Sequence, residues 1–144
     1  MKITEHFSLE EFKQPARHKM SEIVYPEKWI VSRLTPLCMQ LEIIREKLGG
    51  HTISIVSGYR SPEYNALIKG AKQSQHIQGR AADFVVDDLD AIDVYNSIVK
   101  LSKAKIINIG GLGKYNTFTH IDIREQAILV TWSGGRVEPS TAIG

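Results

Sequence analysis

A chain of 144 residues, 42% apolar and 24% charged, is sized for one domain around one main core. A formal net charge of +2, with no Lys/Arg-rich run, gives no electrostatic footprint for nucleic acid. Cys38 is the single cysteine, which excludes an internal disulfide and a cysteine-based zinc knuckle. Its apolar setting, LTPLCMQL, makes it a small core residue rather than a nucleophile. The N-terminal MKITEHFSLEEF lacks the apolar stretch of a secretory signal, and no run reaches membrane-spanning length. The expectation is a soluble protein made in the cytoplasm, with no membrane insertion and no nucleic-acid partner.

In chain order, Ser8 followed three residues later by Glu11, among Phe7, Leu9 and Phe12, predicts a short capped helix that Pro15 breaks. His6 and His18 stand in polar surroundings and read as exposed histidines. Trp29, Ile30, Arg33, Leu34, Leu37, Leu41, Ile44 and Leu48 recur at three- and four-residue steps, which predicts helix over 27–48. Pro26 suits its start and Gly49-Gly50 its end. Pro36 inside it predicts either two consecutive helices, with Thr35 capping the second, or one kinked helix.

HTISIVSGY (51–59) reads as a strand, with Ile53, Ile55 and Ser57 alternating against Thr52, Ser54 and Val56. Ser61-Pro62 opens a short helix to about Lys69, ended by Gly70. After the loop AKQSQHIQG, RAADFVVD returns to extended structure. Asp88 or Asp90 starts a helix through about Ser102, with Leu89, Ile92, Tyr95, Ile98 or Val99, and Leu101 inward. KIINIGG predicts a strand entering the glycine-rich segment GGLGKYN, whose glycines make a tight turn or let backbone approach the site. A strand rather than a helix follows it, so dinucleotide-binding and P-loop readings fail. FTHIDIRE and AILVTWSG complete the pattern as two strands, expected to form a hairpin.

Helices first, then strands mixed with two helices, predict an α+β fold: N-terminal helices packed on a small, mainly antiparallel sheet. The chain is read as one domain over 1–144, with 1–50 its helical N-terminal part, 51–134 the core carrying the site, and 135–144 a tail.

Alternation in FTHIDIRE puts Phe118, His120 and Asp122 on one face and Thr119, Ile121 and Ile123 on the core face. In RAADFVVD, Ala82, Phe84 and Val86 share the core face and Asp83 points the other way. His76 stands before Asp83 in the frame H-x6-D, in a loop that Gly79 allows to reverse sharply. Two imidazoles and a carboxylate brought together would hold a zinc ion with one coordination position open, as a catalytic metal site needs. A loop histidine, a strand-edge carboxylate and a His120–Asp122 hydrogen bond would explain the same residues without a metal.

SGYRSPEYN, then SQHIQGRAADF, then THIDI, all between Ser57 and Trp132, resemble the zinc D-Ala-D-Ala carboxypeptidase and peptidoglycan endopeptidase family, peptidase family M15. That family shares its fold with the hedgehog signalling domain. The pattern S-x-H-x-x-G-x-A-x-D with a distal H-x-D carries the resemblance, within which the small cell-wall endopeptidase-like domains with an "HVD"-type third block are most similar. The resemblance implies a zinc peptidase acting on peptidoglycan peptides at D,D- or L,D-type bonds, as carboxypeptidase or endopeptidase. It implies His76, Asp83 and His120 as zinc ligands, the ion activating water and polarising the scissile carbonyl. It puts Arg60 near the substrate carbonyl or oxyanion, where a structural salt bridge is the plainer alternative. Ser74 and Tyr59 are read as orienting substrate or the groups around the metal. Tyr115 and Asn116 are read as substrate contacts, and Trp132 as lining the cleft or packing.

Many members carry an acidic residue three positions before the last zinc histidine, where this chain has Thr117. Asp122 is then the nearest acid to activate water and protonate the leaving amine, or else a carboxylate that orients His120. The missing acid keeps open a non-catalytic, zinc-stabilised wall- or partner-binding module. A monomer is expected. Without an export signal it would reach the wall by lysis, a holin-like route or delivery on a particle, as a phage or prophage lysis enzyme does.

Overall fold

The computed structural model describes residues 1–13 and 24–134. Pro15, His18 and the tail over 135–144 lie outside the described residues. The N-terminal part opens with a two-stranded antiparallel ribbon, β1 (Lys2–Thr4) and β2 (Phe7–Ser8), and continues into a 3-10 turn over Leu9–Lys13. The expected capped helix is therefore only a turn, although its capping contact forms: the Ser8 amide donates to Glu11 Oε2 at 2.8 Å. His6 is tied down by Glu42, at 2.7 Å from Nδ1 to Oε1.

The long helical stretch begins as a π-helical turn, Ile30–Leu34, and runs directly into α1 (Thr35–Lys47). Pro36 has no N–H for the preceding turn, and its ring crowds an ordinary α-turn. The wider turn absorbs that mismatch. The Thr35 amide donates to Ile30 O, and Thr35 Oγ1 donates to the same carbonyl at 2.9 Å. Thr35 thus bonds backward rather than capping forward, and the proline falls in the first turn of α1. Gly49 and Gly50, with φ of +101° and +80°, end the helix as the sequence implies. Cys38 is buried, and burial pushes its thiol well above the ordinary range, so it is a packing residue.

Then follow β3 (Ile53–Ser57), α2 (Pro62–Leu67), β4 (Ala81–Val86), α3 (Ala91–Lys103), β5 (Gly111–Lys114), β6 (Thr119–Asp122) and β7 (Val130–Ser133). The five later strands form one sheet in the order β3-β4-β6-β5-β7. All pairings are antiparallel except β5 with β7, which is parallel. The α+β class with a mainly antiparallel sheet is as expected. Two details are not. The glycine-rich segment is itself a strand, while the KIIN run before it is irregular. The hairpin at the end joins β5 to β6; β7 pairs with β5, not with β6.

Ser61 Oγ accepts the Tyr64 amide and caps α2, which stops at Leu67. Lys69, with φ of +59°, makes the left-handed reversal; Gly70 is needed for space, since a Cβ there would lie 2.2 Å from Asn65 Oδ1. On α3 the buried residues are Val94 and Ile98, whereas Ile92, expected inward, is exposed. The core packs Leu37, Leu41 and Ile44 of α1 with Phe84, Leu112 and Ile121 of the sheet and Ile98 of α3. That leaves the opposite sheet face for polar side chains.

Candidate metal centre

Register assembles the centre. Ser57 pairs with Asp83, Asp83 with His120, His120 with Gly113, and Gly113 with Trp132. These positions form one row across all five strands, and paired residues project from the same face. His76 reaches the row from the loop between α2 and β4. Ser74 Oγ accepts the His76 amide at 3.1 Å, and the Arg60 amide donates to His76 O at 3.1 Å. Tyr25 Oη donates to Gly79 O at 2.8 Å, and Arg33 Nη1 to Gln78 O at 2.8 Å, so the N-terminal helical part clamps the loop. His76, Asp83 and His120, all buried, each offer one ligand atom within 4.8 Å of the others.

Hydrogen bonding sets the protonation of each. His76 Nδ1 lies 2.7 Å from Gly58 O, which can only accept, so Nδ1 carries the proton and Nε2 a lone pair. Burial lowers the pKa of His76, Asp83 pulling against it, and the ring stays neutral. Its Nε2 is buried with no hydrogen-bond partner among the described residues, 3.3 Å from Asp83 Oδ2. Two electron-rich atoms at that separation repel unless a cation lies between them. Burial alone would raise the pKa of Asp83, yet the two histidines beside it hold the carboxyl far below its usual range. His120 has a carboxylate at each nitrogen: Asp83 Oδ1 2.8 Å from Nδ1 and Asp122 Oδ2 2.8 Å from Nε2. Although burial opposes it, these two neighbours raise its pKa. The orphaned Nε2 of neutral His76, the ionised carboxylate of Asp83 and Nδ1 of His120, whose Nε2 proton Asp122 can accept, make a donor set that fits zinc.

Asp122 is fully buried, and Arg124 takes both its oxygens: Nε donates to Oδ1 at 2.7 Å and Nη2 to Oδ2. Against burial, Arg124 and His120 hold its pKa down to about 2. Buried and with both oxygens engaged, this carboxylate has the arrangement that the orienting alternative needs. Ser74 is fully buried and holds His76 through its amide, in line with the reading that it orients groups around the metal. Tyr59 packs edge-on against Tyr25 and Trp29, with centroids 5.4 and 6.3 Å away, as part of an aromatic cluster beside the His76 loop.

Arg60 does reach the centre. Its Nη2 lies 3.8 Å from Asp83 Oδ2, and its Nη1 donates to Asn65 Oδ1 at 3.1 Å. Tyr115 and Trp132 form one wall: Trp132 Nε1 donates to Tyr115 Oη at 2.9 Å, and the Trp132 ring lies 5.0 Å from that of His120. Burial, chiefly, raises the Tyr115 pKa and keeps its hydroxyl protonated. Asn116 and Thr117 are exposed. Of two surface cavities of about 620 and 730 Å³, neither is lined by any of the three candidate ligands, although Arg124 lines the first.

Sequence reading missed Arg124, though continued alternation past Asp122 would have added it to the same face. It also missed that Gly111 and Gly113 are strand residues whose lack of a side chain makes room for that face.

A sequence profile described as Peptidase M15 matches residues 5–122. A protein of Haemophilus influenzae described as "Probable peptidoglycan L,D-endopeptidase MepK" is 30% identical over 145 residues, covering 92% of this chain and 73% of that protein. The profile spans most of the chain, including His76, Asp83 and His120, and the relative agrees with it; the chain belongs to the peptidase M15 family.

Proposed function

We propose that this chain is a zinc-dependent peptidase that hydrolyses peptide bonds of bacterial peptidoglycan, with His76, Asp83 and His120 holding the ion. The observation that carries the reading is the orphaned His76 Nε2, buried and facing Asp83 Oδ2 at 3.3 Å. When bound at such a set, zinc supplies a Lewis acid that activates water and polarises a carbonyl near neutral pH. The chain's own residues do the rest. Gly58 O keeps the proton of His76 on Nδ1, and Asp122 keeps a proton on His120 Nε2. The Arg60 guanidinium, largely desolvated, offers fixed positive charge where a carbonyl oxygen gains negative charge. Tyr115 presents a protonated hydroxyl beside the same groups, and Trp132 excludes water from one side of the row.

The description of the Haemophilus relative supports peptidoglycan as substrate, and an L,D-type internal bond over a terminal residue. The enzyme then acts at the cell wall.

Digestion of purified peptidoglycan, with mass analysis of the soluble products, tests this. Peptide fragments that form with zinc and vanish with chelator are expected, and their masses identify the bond. A protein that binds zinc but releases no fragment from several wall types would be a zinc-stabilised binding module instead. Thr117, where many relatives have an acid, is the residue that favours that second reading.

A further inference from the structure

We infer that Arg124, acting through Asp122, is a positioning residue for the metal centre, and that the Gly110-Gly111 pair exists to admit it. This rests on the metal reading of His76, Asp83 and His120. Arg124 grips the carboxylate of Asp122 as a two-pronged fork, Nε to Oδ1 at 2.7 Å and Nη2 to Oδ2. The Arg124 amide donates to Oδ1 as well, at 3.2 Å. Three donors fix the plane of the carboxylate, and its Oδ2 lies 2.8 Å from His120 Nε2. A carboxylate so held can only accept from that nitrogen. His120 must then present Nδ1 to Asp83 and His76, and its ring cannot rotate away. The Trp132 ring lies over the guanidinium, its centroid 5.1 Å from Arg124 Cζ.

The neighbouring strand carries independent evidence. Gly111 is the register partner of Asp122. A Cβ at Gly111 would lie 2.3 Å from Asp122 Oδ2 and 2.6 Å from Arg124 Nη2, and one at Gly110 would lie 2.0 Å from Arg124 O. No other residue leaves space for the fork. A buried ion pair is a poor stabiliser compared with apolar packing of equal volume. What apolar packing cannot supply is an immobile acceptor behind a ligand histidine. The geometry therefore assigns the pair to orientation of His120.

The test uses Arg124→Gln, Arg124→Lys and Gly111→Ala in the full chain, with cobalt(II) as probe metal. Affinity is read by competition with a chelator, His120 coordination by the visible spectrum of the cobalt form and by nitrogen-15 shifts of the zinc form. The melting temperature controls for folding. Wild-type protein is expected to bind with Nδ1 of His120 at the metal. Arg124→Gln and Gly111→Ala are expected to lose about 10- to 100-fold in affinity and to alter the spectrum and the His120 shifts. Arg124→Lys, which keeps the charge without the fork, should recover part of the affinity. A folded Arg124→Gln with wild-type affinity and unchanged His120 signals overturns the inference and leaves the metal reading intact. Failure of the wild type to bind cobalt or zinc overturns the metal reading itself. If Arg124→Gln does not fold, wild-type affinity and His120 signals in Arg124→Lys would likewise overturn the inference.

Discussion

His120 and Trp132 stand on strands that are not neighbours, yet their rings meet at 5.0 Å, because Gly113 on the strand between them has no side chain. A Cβ at that position would lie 2.6 Å from Trp132 Nε1. Gly113→Ala is therefore expected to push Trp132 off His120 and off the Tyr115 hydroxyl. Overpacking of this kind costs about 1–3 kcal/mol. Denaturant unfolding followed by tryptophan fluorescence reads both the loss of stability and the changed surroundings of Trp132. An unchanged midpoint and spectrum would show that the β5 glycine is not what brings the two rings together.

Removing a ligand should remove the metal. Purified wild-type protein is expected to carry about one zinc per chain, with His76→Ala and Asp83→Ala falling towards none. Elemental analysis of protein dialysed against trace zinc checks this. Full zinc content in both variants would rule out the proposed ligand set.

The His76 loop depends on one backbone conformation. Gly79 has φ of +69°, and a Cβ there would lie 2.7 Å from Tyr25 Oη. Gly79→Ala is expected to cost about 1–3 kcal/mol through strain and displacement of Tyr25. Tyr25→Phe, which loses only the bond to Gly79 O, should cost about 1 kcal/mol. Both should weaken zinc binding, since they loosen the loop that carries His76. Chelator competition on the folded variants measures it, and undiminished affinity would show that the loop holds its shape without the clamp.

The N-terminal ribbon is fastened by a carboxylate, which makes its contribution pH-dependent. Glu42 accepts from Thr4 Oγ1 at 2.8 Å and from the His6 amide at 2.6 Å. Partial burial opposes its charge, but the bonds from His6 and Thr4 outweigh burial and hold its pKa below the ordinary 4.5. A depressed carboxylate stabilises the fold fully above its unfolded pKa and ceases to as pH falls through the folded one. Wild type should exceed Glu42→Gln by about 1–2 kcal/mol near neutrality. The gap should close as pH falls from about 5 towards 3. Thermal unfolding of both proteins across that range checks it, and a gap that persists at low pH would contradict the role given to the ionised group.

Much of the site was readable from local pattern. Alternation in RAADFVVD and FTHIDIRE put Asp83 and His120 opposite the core residues Phe84 and Ile121, because the two-residue period of a strand is a local property. Gly49-Gly50 marked the helix end for a similar reason: only the conformation of those residues was at stake. The M15 resemblance, carried by the same local blocks, pointed to the family. Strand β5 was not readable. GGLG has the local preference of a turn, and its glycines belong in a strand only because Asp122, Arg124 and Trp132 fill the space that side chains would have taken. The pairing of β7 with β5 rather than β6 is likewise a long-range choice. Asp122 shows the division most clearly. The chain's alternation put an acid on the face of His120, with the roles of base and orienting group equally open. The fork of Arg124 on both its oxygens, a tertiary contact that alternation does not encode, is the arrangement the orienting role needs.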